Sequence, residues 1–475
     1  MMKVADYIVE FLIRKGVTDV FGLPGGVVLN FLYALDNRKD EIKAHLCFHE
    51  QSVAFAACGY AQAESTLGVA YATRGPGVTN MITGIADAYY DSIPVLFISA
   101  HMKDHQEGDM RIEMDQELNP MPLLSSITKY ATRVNQAKDV CHEIEKAYYL
   151  ATTGRKGPVF LDFSAHIFNE DIRTDEDQSF CQQEFEHTSF SELIESIDTA
   201  LECSQRPVLL IGDGIRQSNT VQYILNVVER IGIPVLSSRF AQDIMPKSAL
   251  YFGYIGSHAL RYSNFILSKA DLIISLGNRL SFPVDSKSYG PLVNNTKIIR
   301  IDVDETEFLR KIPNSKNFIV NLHDFLPILA DSDLKYEGKG KWLSVCRKLK
   351  DILQCYDLND PVNVVSAILR NIGYDTILTN DVGNNEFWVS RAYTYAKAGN
   401  RTLFSKSFGA MGCSLPKAIG AHYATQKPVL CFTGDQGLQM NLQELQYIAN
   451  HDLPIAVVLL NNQSSGMIRS REKKL

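Results

Sequence analysis

Short, continuous apolar runs alternate with amphipathic stretches through the first third of the chain. The runs predict buried strands at Asp19–Leu23, Ile42–Phe48, Gly68–Thr73 and Ile93–Ala100. The stretches between them predict helices at Val27–Leu35, Gln51–Glu64 and Val78–Tyr90. Regular alternation of strand and helix is typical of a parallel sheet that helices cover on both faces.

The same alternation recurs in two later parts of the chain. Strands are predicted in the second part at Pro207–Ile211, Ile233–Leu236, Asp271–Leu276 and Lys297–Val303, and in the third at Thr376–Thr379, Val429–Thr433 and Ile455–Leu460. A polar, acidic segment at 170–189, interpreted as a linker, and a weakly hydrophobic one at 331–341 separate the parts. We therefore predict an α/β protein with three doubly wound parallel-sheet domains, at residues 1–170, 190–330 and 357–475; the length of 475 residues agrees with about 150 residues per domain.

Composition narrows the function classes. Hydrophobic residues make up 45% and charged residues 21%, as in ordinary globular proteins, and the net charge of -7 argues against a nucleic-acid binder. The longest apolar runs are about eight residues, well short of the roughly 20 that span a bilayer, so no membrane partner is expected. Nine cysteines without a CxxC pair, and Asp6 and Glu10 within the first apolar stretch, favour a reduced, cytoplasmic protein without a signal peptide.

Polar residues follow two strands of the third domain. Gly434-Asp435-Gln436-Gly437 comes directly after Val429–Thr433, and Asn461-Asn462 comes after Ile455–Leu460. Open α/β sheets bind ligands at the carboxyl ends of their strands. One carboxylate and one amide oxygen suit Mg²⁺ shared with substrate phosphates, and the glycines let main-chain N–H groups approach those phosphates. Taken alone, both segments could instead be ordinary turns.

A family resemblance resolves this alternative. The two segments resemble the GDG…NN signature of thiamine-diphosphate enzymes, and further motifs follow the same family in order along nearly the whole chain. These motifs are Leu23-Pro24-Gly25-Gly26, His49-Glu50-Gln51, Thr73–Gly77 with Asn80, Asp91–Pro94, Ser407–Gly412 and Asn441–Leu445. The chain resembles the acetolactate synthase, pyruvate oxidase and pyruvate decarboxylase superfamily, and acetolactate synthases most.

The resemblance implies roles for individual residues. Glu50 would face the pyrimidine N1′ of the cofactor, and a partly desolvated carboxyl with a raised pKa would favour a shared proton there. Met411 would hold the two cofactor rings in a V, and the Gly409 carbonyl would accept from the 4′-amino group. Asp435, Asn462 and the Ser464 carbonyl would bind Mg²⁺. The other cofactor-binding positions that the resemblance implies are Pro76, Asn80, Asn384, Asn385, Gly434, Gln436, Gly437, Gly466 and Met467.

Substrate-side assignments rest on fewer matches. Gly26 and Gln116 match positions that line the active site in the family. His101 replaces the usual glutamine after its strand, and either relays a proton or binds a carboxylate, or is a histidine of a surface loop. Arg471 replaces a tryptophan that selects the second substrate, and indicates an anionic acceptor unless it belongs to a solvated charge run.

Two departures concern the cofactors. Gln436 replaces the middle glycine of GDG, so its side chain is expected to point away from the diphosphate. In the central domain, Gly212-Asp213-Gly214, Gly253, Gly256, Gly277–Arg279 and Ile301–Asp304 resemble FAD-contacting segments, but Leu280–Ser286 lacks an arginine and a turn of the flavin-binding relatives. The resemblance thus leaves FAD open.

The activity that the resemblance implies is decarboxylation of a 2-oxo acid, most simply pyruvate, and transfer of the two-carbon unit to a second carbonyl compound. It also implies a homodimer or homotetramer, with Glu50 of one chain facing Asp435 of another. Alternatives are simple decarboxylation, ligation to an aldehyde or ketosugar, and a non-catalytic relative. A dinucleotide-dependent oxidoreductase is disfavoured because no strand precedes a G-x-G-x-x-G motif. Only 13 residues (475 − 462) follow Asn462, so the third domain is expected to be shortened.

Overall fold

Three parallel sheets and one short antiparallel pair form the framework of the computed structural model, which describes residues 2–102, 114–172, 180, 188–281, 296–405 and 407–472. The predicted α/β class with three parallel-sheet regions is confirmed. By its internal contacts the chain forms two compact units. The first comprises Met1–Gln183, Asp375–Asn385 and Arg401–Leu475, and the second comprises Glu184–Tyr374 and Glu386–Asn400.

The first sheet has six parallel strands in the order β3-β2-β4-β5-β7-β6. The strands of this region are β1 (Met2–Lys3), β2 (Asp19–Gly22), β3 (Lys43–Leu46), β4 (Gly68–Tyr71), β5 (Val95–His101), β6 (Tyr130–Val134), β7 (Val159–Ser164) and β8 (Asp171–Ile172). The helices are α1 (Val4–Arg14), α2 (Leu29–Asn37), α3 (Glu50–Glu64), α4 (Pro76–Asp91), α5 (Met121–Leu124) and α6 (Val140–Thr152), with 3-10 turns at Gly26–Val28, Ala137–Asp139 and Ile167–Asn169. Strands β4 and β5 are buried along their whole length, as expected for the middle of a covered sheet.

The second sheet has six parallel strands in the order β11-β10-β9-β12-β13-β14. Its strands are β9 (Pro207–Ile211), β10 (Val235–Ser237), β11 (Tyr251–Tyr254), β12 (Leu272–Leu276), β13 (Lys297–Asp302) and β14 (Ser315–Ile319). The helices of this unit are α7 (Phe190–Glu202), α8 (Gly214–Gln217), α9 (Val221–Ile231), α10 (Arg261–Lys269), α11 (Leu322–Asp331), α12 (Lys339–Leu353) and α13 (Asp360–Arg370), with 3-10 turns at Arg239–Ala241, Glu305–Leu309 and Gln354–Asp357.

The third sheet has four parallel strands in the order β16-β15-β17-β18. Its strands are β15 (Ile377–Asn380), β16 (Thr402–Leu403), β17 (Val429–Gly434) and β18 (Ile455–Leu460). The helices in this part of the chain are α14 (Asn384–Ala396), α15 (Ser414–Thr425), α16 (Asp435–Met440), α17 (Glu444–Asn450) and α18 (Gly466–Glu472); α14 begins in the first unit and belongs to the second from Glu386 on. Because β15 and β17 are neighbours, the loops after residues 380 and 434 meet at one sheet edge.

Helices α3 and α15 join the first and third sheets within the first unit. Both are rich in small residues, and their backbones come very close: a Cβ built on Gly420 would lie 1.8 Å from the carbonyl oxygen of Ala56, and one on Gly59 would lie 2.2 Å from that of Lys417. Only glycine permits such an approach. Helix α3, which begins at Glu50, is therefore packed directly against α15.

Two expectations need correction. Within the predicted linker, β8 pairs antiparallel with β1, so the start of this segment belongs to a small sheet; residues 173–179 and 181–187 lie outside the described residues. The predicted strand Ile42–Phe48 is shorter, at Lys43–Leu46, because it is a largely exposed edge strand. Among the described residues, no helix is long and apolar enough to cross a membrane.

Candidate active site

The loops after β2 and β4 meet at the carboxyl edge of the first sheet. A Cβ on Gly25 would lie 2.4 Å from the Cβ of Thr73, so the two loops are in contact. A Cβ on Gly26 would meet no atom within 4 Å, so this glycine faces open space. The site that the sequence predicts around these glycines therefore has room for a ligand beside Gly26.

Glu50 begins helix α3 at the same edge. His49 caps the helix, its Nδ1 accepting from the N–H of Gln51 at 3.1 Å. The Glu50 side chain is buried, with 7% of the residue exposed, and its Oε2 accepts from Asn80 Nδ2 at 3.0 Å. A Cβ on Gly77 would lie 3.5 Å from the other carboxylate oxygen. Glu50, Asn80 and the Pro76-Gly77 turn, which the sequence predicts to share a site, are thus brought together.

Gln116 lies beside this turn. Its backbone has a φ of 57°, and a Cβ on Gly75 would lie 2.4 Å from its carbonyl oxygen. The loop of Gln116 is therefore packed on the loop that leads to Pro76.

His101 is the last residue of β5 and is buried, so the surface-loop alternative is wrong. Its Nδ1 lies 3.1 Å from Asp162 Oδ2, and its Nε2 lies 3.0 Å from Asn135 Oδ1. Asp162 also accepts from the Ser99 hydroxyl at 2.6 Å and pairs with Arg133 at 3.2 Å. His101 is thus held by a buried polar network, which fixes its ring at the sheet edge.

The predicted metal and diphosphate residues lie at the carboxyl edge of the third sheet. Asp435 opens α16 directly after β17, and Asn462 follows β18, its Oδ1 accepting from the Ser464 N–H at 3.2 Å. A Cβ on Gly466 would lie 2.3 Å from Asn384 Nδ2 and 2.8 Å from Asn462 Nδ2. Asn384, which follows β15, therefore meets Asn462 and Gly466, which both lie in the segment that follows β18.

Asn385 does not join them. Its amide Nδ2 donates to Asn380 Oδ1 at 3.2 Å and to the Asp381 carbonyl at 2.9 Å, so both of its protons are used inside the protein. Of the predicted Asn384-Asn385 pair, only Asn384 keeps its amide at the predicted diphosphate position. Gln436 accepts from the Ser465 hydroxyl at 2.7 Å, which turns its side chain toward the loop after β18.

The loop with Gly409 and Met411 is held at both ends. Gly409 and Gly412 have φ angles of 70° and 80°, the left-handed region that favours glycine. The Ala410 N–H donates to Ser405 Oγ at 2.9 Å, and Asn441 Nδ2 donates to the Gly412 carbonyl at 2.8 Å. These bonds define how Met411 is presented at the sheet edge.

Asp381, just after β15, is a site residue that the sequence analysis missed. Its buried carboxylate accepts from the N–H groups of Gly412 at 3.0 Å and Cys413 at 3.2 Å, and from the Thr433 hydroxyl at 3.1 Å. Burial raises the pKa of this carboxyl to about 6, although the bonds from Gly412 and Thr433 lower it. Asp381 could have been identified from its position directly after a strand, because the same position led to the prediction of Asp435 and Asn462.

Asn441 and Glu444 link the start of α3 to the third sheet's loops, and their roles were likewise not predicted. Asn441 Oδ1 accepts from the Ser52 hydroxyl at 2.8 Å, and Glu444 Oε1 accepts from the Phe48 N–H at 3.1 Å. Glu444 is fully buried, and burial raises the pKa of its carboxyl to about 7. Both side chains therefore fix the position of the helix that carries Glu50.

The geometry fits the cofactor that the sequence predicts. A buried carboxylate stands at one sheet edge, and amide groups, a carboxylate and glycines stand at the other, as a pyrimidine and a diphosphate require. In the described part of the chain, no group of three or more His, Cys, Asp or Glu residues could hold a metal by itself. A cation at Asp435 and Asn462 would need further ligands from phosphate, which is the donor set that Mg²⁺ accepts.

Two main-chain donors at the glycines of the second sheet are already used within the protein. The N–H groups of Gly212 and Gly214 donate to the carbonyls of Leu276 and Gly277, at 2.9 and 3.2 Å, and so are not free for phosphate. Arg216 is paired with the Asp243 carboxylate at 2.5 Å. Residues 282–286 and the Arg471 side chain, which bear on the flavin and the acceptor, lie outside the described residues.

Comparison with known proteins shows the family to which this three-sheet fold belongs. Residues 2–123 match the family described as "Thiamine pyrophosphate enzyme, N-terminal TPP binding domain", residues 194–329 its central domain, and residues 381–474 its C-terminal TPP binding domain. The acetolactate synthase large subunit of Lactococcus lactis is 32% identical over 477 residues, covering 98% of this chain and 81% of the relative. Acetolactate synthase isozyme 1 large subunit of Escherichia coli is 30% identical (98% and 83% covered), and chloroplastic acetolactate synthase 2 of Nicotiana tabacum is 32% identical (98% and 71%).

The chain combines three parallel sheets, a buried glutamate at the start of a helix and polar residues after two neighbouring strands. This combination is the one expected of a thiamine-diphosphate enzyme. This chain belongs to that enzyme family, and its relatives include acetolactate synthases.

Proposed function

We propose that this chain, with thiamine diphosphate and Mg²⁺, decarboxylates a 2-oxo acid such as pyruvate and joins the two-carbon unit to a second carbonyl compound. The observation that carries the proposal is Glu50, buried beside Asn80 and Gly77 at the start of α3. When bound, thiamine diphosphate supplies the C2 nucleophile and the electron sink for loss of CO₂. The similarity to acetolactate synthases supports carboligation over decarboxylation alone.

The chain's own residues would prepare that chemistry. Glu50 holds a proton at pyrimidine N1′, and Asn80 orients its carboxylate by one hydrogen bond. The Gly409 carbonyl and the Met411 side chain position the pyrimidine. Asp435, Asn462 and the Ser464 carbonyl hold Mg²⁺, and Asn384 donates to the diphosphate.

The acceptor would enter beside Gly26, where the site is open, with Gln116 and His101 lining it. His101 is proposed to bind a carboxylate or relay a proton through Nε2, which would exchange its bond with Asn135 Oδ1 for one to the substrate while Nδ1 stays beside Asp162. Carboligation involves no net electron transfer, so no flavin takes part in the proposed reaction.

We also propose a cytoplasmic homodimer or homotetramer in which Glu50 of one chain serves the cofactor bound at Asp435 of another. Exposed apolar side chains near the start of α3 support a further interface, among them Phe48 at 48% exposure and Leu442 at 41%. Sedimentation with and without thiamine diphosphate and Mg²⁺ tests the assembly, and a monomeric active enzyme would exclude it.

The activity is tested with purified protein, thiamine diphosphate, Mg²⁺ and pyruvate, with a second 2-oxo acid, an aldehyde or a ketosugar as acceptor. Release of CO₂ with an acyloin product supports the proposal, CO₂ without ligation identifies a simple decarboxylase, and no CO₂ with any acceptor refutes it. The visible spectrum of the same sample tests for flavin.

The variant Glu50→Gln tests the role assigned to this carboxylate. It keeps the size of the side chain and the contact with Asn80, but removes the charge that would face N1′. We expect it to retain the cofactor and to slow exchange of the C2 proton by about two orders of magnitude or more. Unchanged exchange would exclude the assigned role.

A further inference from the structure

One buried carboxylate connects two loops that the proposed function places around the cofactor. Asp381 binds the N–H groups of Gly412 and Cys413, at 3.0 and 3.2 Å, and the hydroxyl of Thr433, at 3.1 Å. A Cβ on Gly437 would lie 1.9 Å from Asp381 Oδ2. Asp381 thus touches the loop that presents Met411 as well as the turn that presents Asp435.

The loop from Gly409 to Cys413 needs such an acceptor. Its two left-handed glycines direct the N–H groups of residues 412 and 413 into the interior, where an unpaired donor costs about 1–3 kcal/mol. A carboxylate has two oxygens and about four acceptor sites, so it satisfies both donors and the Thr433 hydroxyl together. Asparagine, of the same size, offers one acceptor oxygen and would place an NH₂ group against a donor.

We propose that Asp381 is a positioning residue for the reaction of the cofactor: it sets the distance between the Met411 loop and the Asp435 turn. The proposal rests on the proposed function, because these segments matter only if they hold thiamine diphosphate. Asp381 does not touch the reacting atoms. It acts through the Gly409 carbonyl and Met411 on one side and through the metal turn on the other.

Asp381→Asn tests the proposal. The variant is loaded with thiamine diphosphate and Mg²⁺, bound cofactor is measured, and exchange of the C2 proton for deuterium is followed by NMR after acid quench. We expect exchange per bound cofactor to fall about tenfold to hundredfold, because a displacement near 1 Å costs a rate of that order. A role in stability alone would lower the melting temperature or the bound fraction, but not the rate per bound cofactor.

Asp357→Asn is the matched control. Asp357 is also buried and also accepts from a main-chain N–H, that of Arg261 at 2.9 Å, but it belongs to the second unit. Its substitution should leave exchange per bound cofactor at the wild-type value. An Asp381→Asn rate equal to the wild-type rate would overturn the proposal.

Thr433→Val covers the case in which Asp381→Asn does not fold. It removes the hydroxyl donor and keeps both main-chain bonds to Asp381, so a smaller fall in exchange is expected and an unchanged rate would overturn the proposal.

Measurements on the wild-type protein separate this inference from the proposed function. Exchange without CO₂ release from pyruvate refutes only the reaction, whereas bound cofactor without accelerated exchange refutes both.

Discussion

Removing one partner from the buried ion pair of Lys417 and Asp87 is expected to destabilise the first unit strongly. The Lys417 Nζ lies 2.8 Å from Asp87 Oδ2, and both side chains are fully buried between α4 and α15. Lys417 also donates to the Phe404 carbonyl at 2.9 Å, and Asp87 accepts from the Ser405 hydroxyl, whose oxygen holds the Ala410 N–H. Burial alone would lower the pKa of Lys417, but the Asp87 charge raises it above its usual value, so Lys417 is protonated at neutral pH.

Lys417→Met removes the cation and keeps most of the side chain's volume. It leaves the Asp87 carboxylate buried without its cationic partner, which should lower the free energy of unfolding by about 3–5 kcal/mol. The equilibrium constant for opening should then rise by roughly two to three and a half orders of magnitude. The exposed pair of Lys316 and Glu192, 3.2 Å apart with side chains 50% and 57% exposed, is the matched control. Lys316→Ala should cost about 0–1 kcal/mol.

Thiol labelling is the appropriate assay for the opening of the first unit. Both tryptophans of the chain, Trp342 and Trp388, lie in the second unit, so a reporter inside the first unit is needed. Cys58 and Cys413 are fully buried in the first unit and can react only when it opens. Their labelling rates, read peptide by peptide by mass spectrometry, should rise by the factor above in Lys417→Met and stay near wild type in Lys316→Ala.

The double variant Lys417→Met/Asp87→Asn identifies the cause. If the cost comes from the uncompensated carboxylate, removing that charge should restore part of the stability lost in Lys417→Met. Strictly additive losses, or a single variant that opens no more than about tenfold faster than wild type, would refute the reasoning.

Three further predictions follow from the site. Glu444 has a folded-state pKa of about 7 against an ordinary 4.5, so the folded chain keeps a proton that the unfolded chain releases; the stabilisation is complete below pH 4.5 and lost as pH rises through 7. Glu444→Gln should therefore abolish a slope of at most about 1.4 kcal/mol per pH unit, measured as labelling of Cys58 across this window, whereas an unchanged slope would contradict the assignment. Gly437→Ala would place a Cβ 1.9 Å from Asp381, so it should cost about 1–3 kcal/mol of stability and weaken cofactor binding. Gly340→Ala, whose Cβ would meet no atom within 4 Å, is the control and should do neither. The melting temperatures of both variants, measured with and without cofactor, test this. Asp435→Ala, or a chelator added to the wild type, should abolish Mg²⁺-dependent retention of thiamine diphosphate through dialysis, and retained cofactor would exclude the metal assignment.

Much of the fold could be predicted because buried parallel strands are nearly continuous apolar runs. Pro207–Ile211, which is buried along its whole length, has the bounds in the structure that the sequence predicts. Partial burial gave mixed results: the bounds of the edge strand Ile455–Leu460 were predicted, whereas the exposed edge strand Lys43–Leu46 is shorter than predicted. The helix Lys339–Leu353 was not predicted, because the segment that leads into it is only weakly hydrophobic.

The site could be predicted where chemistry selects a residue type, as at Glu50, Asp435 and Asn462. Asp381 differs, because two of its three principal partners are main-chain N–H groups, and these leave no pattern in the sequence. Its third partner, Thr433, is distant along the chain and becomes a neighbour only because β15 pairs with β17. Strand order is fixed by the packing of whole helices against the sheet and not by any local signal, so in T-N-D-V-G the aspartate is indistinguishable from a turn residue. A carboxylate that holds backbone can therefore be recognised only once the strand order is known, and the same holds for Glu444, which accepts from the Phe48 N–H across two domains.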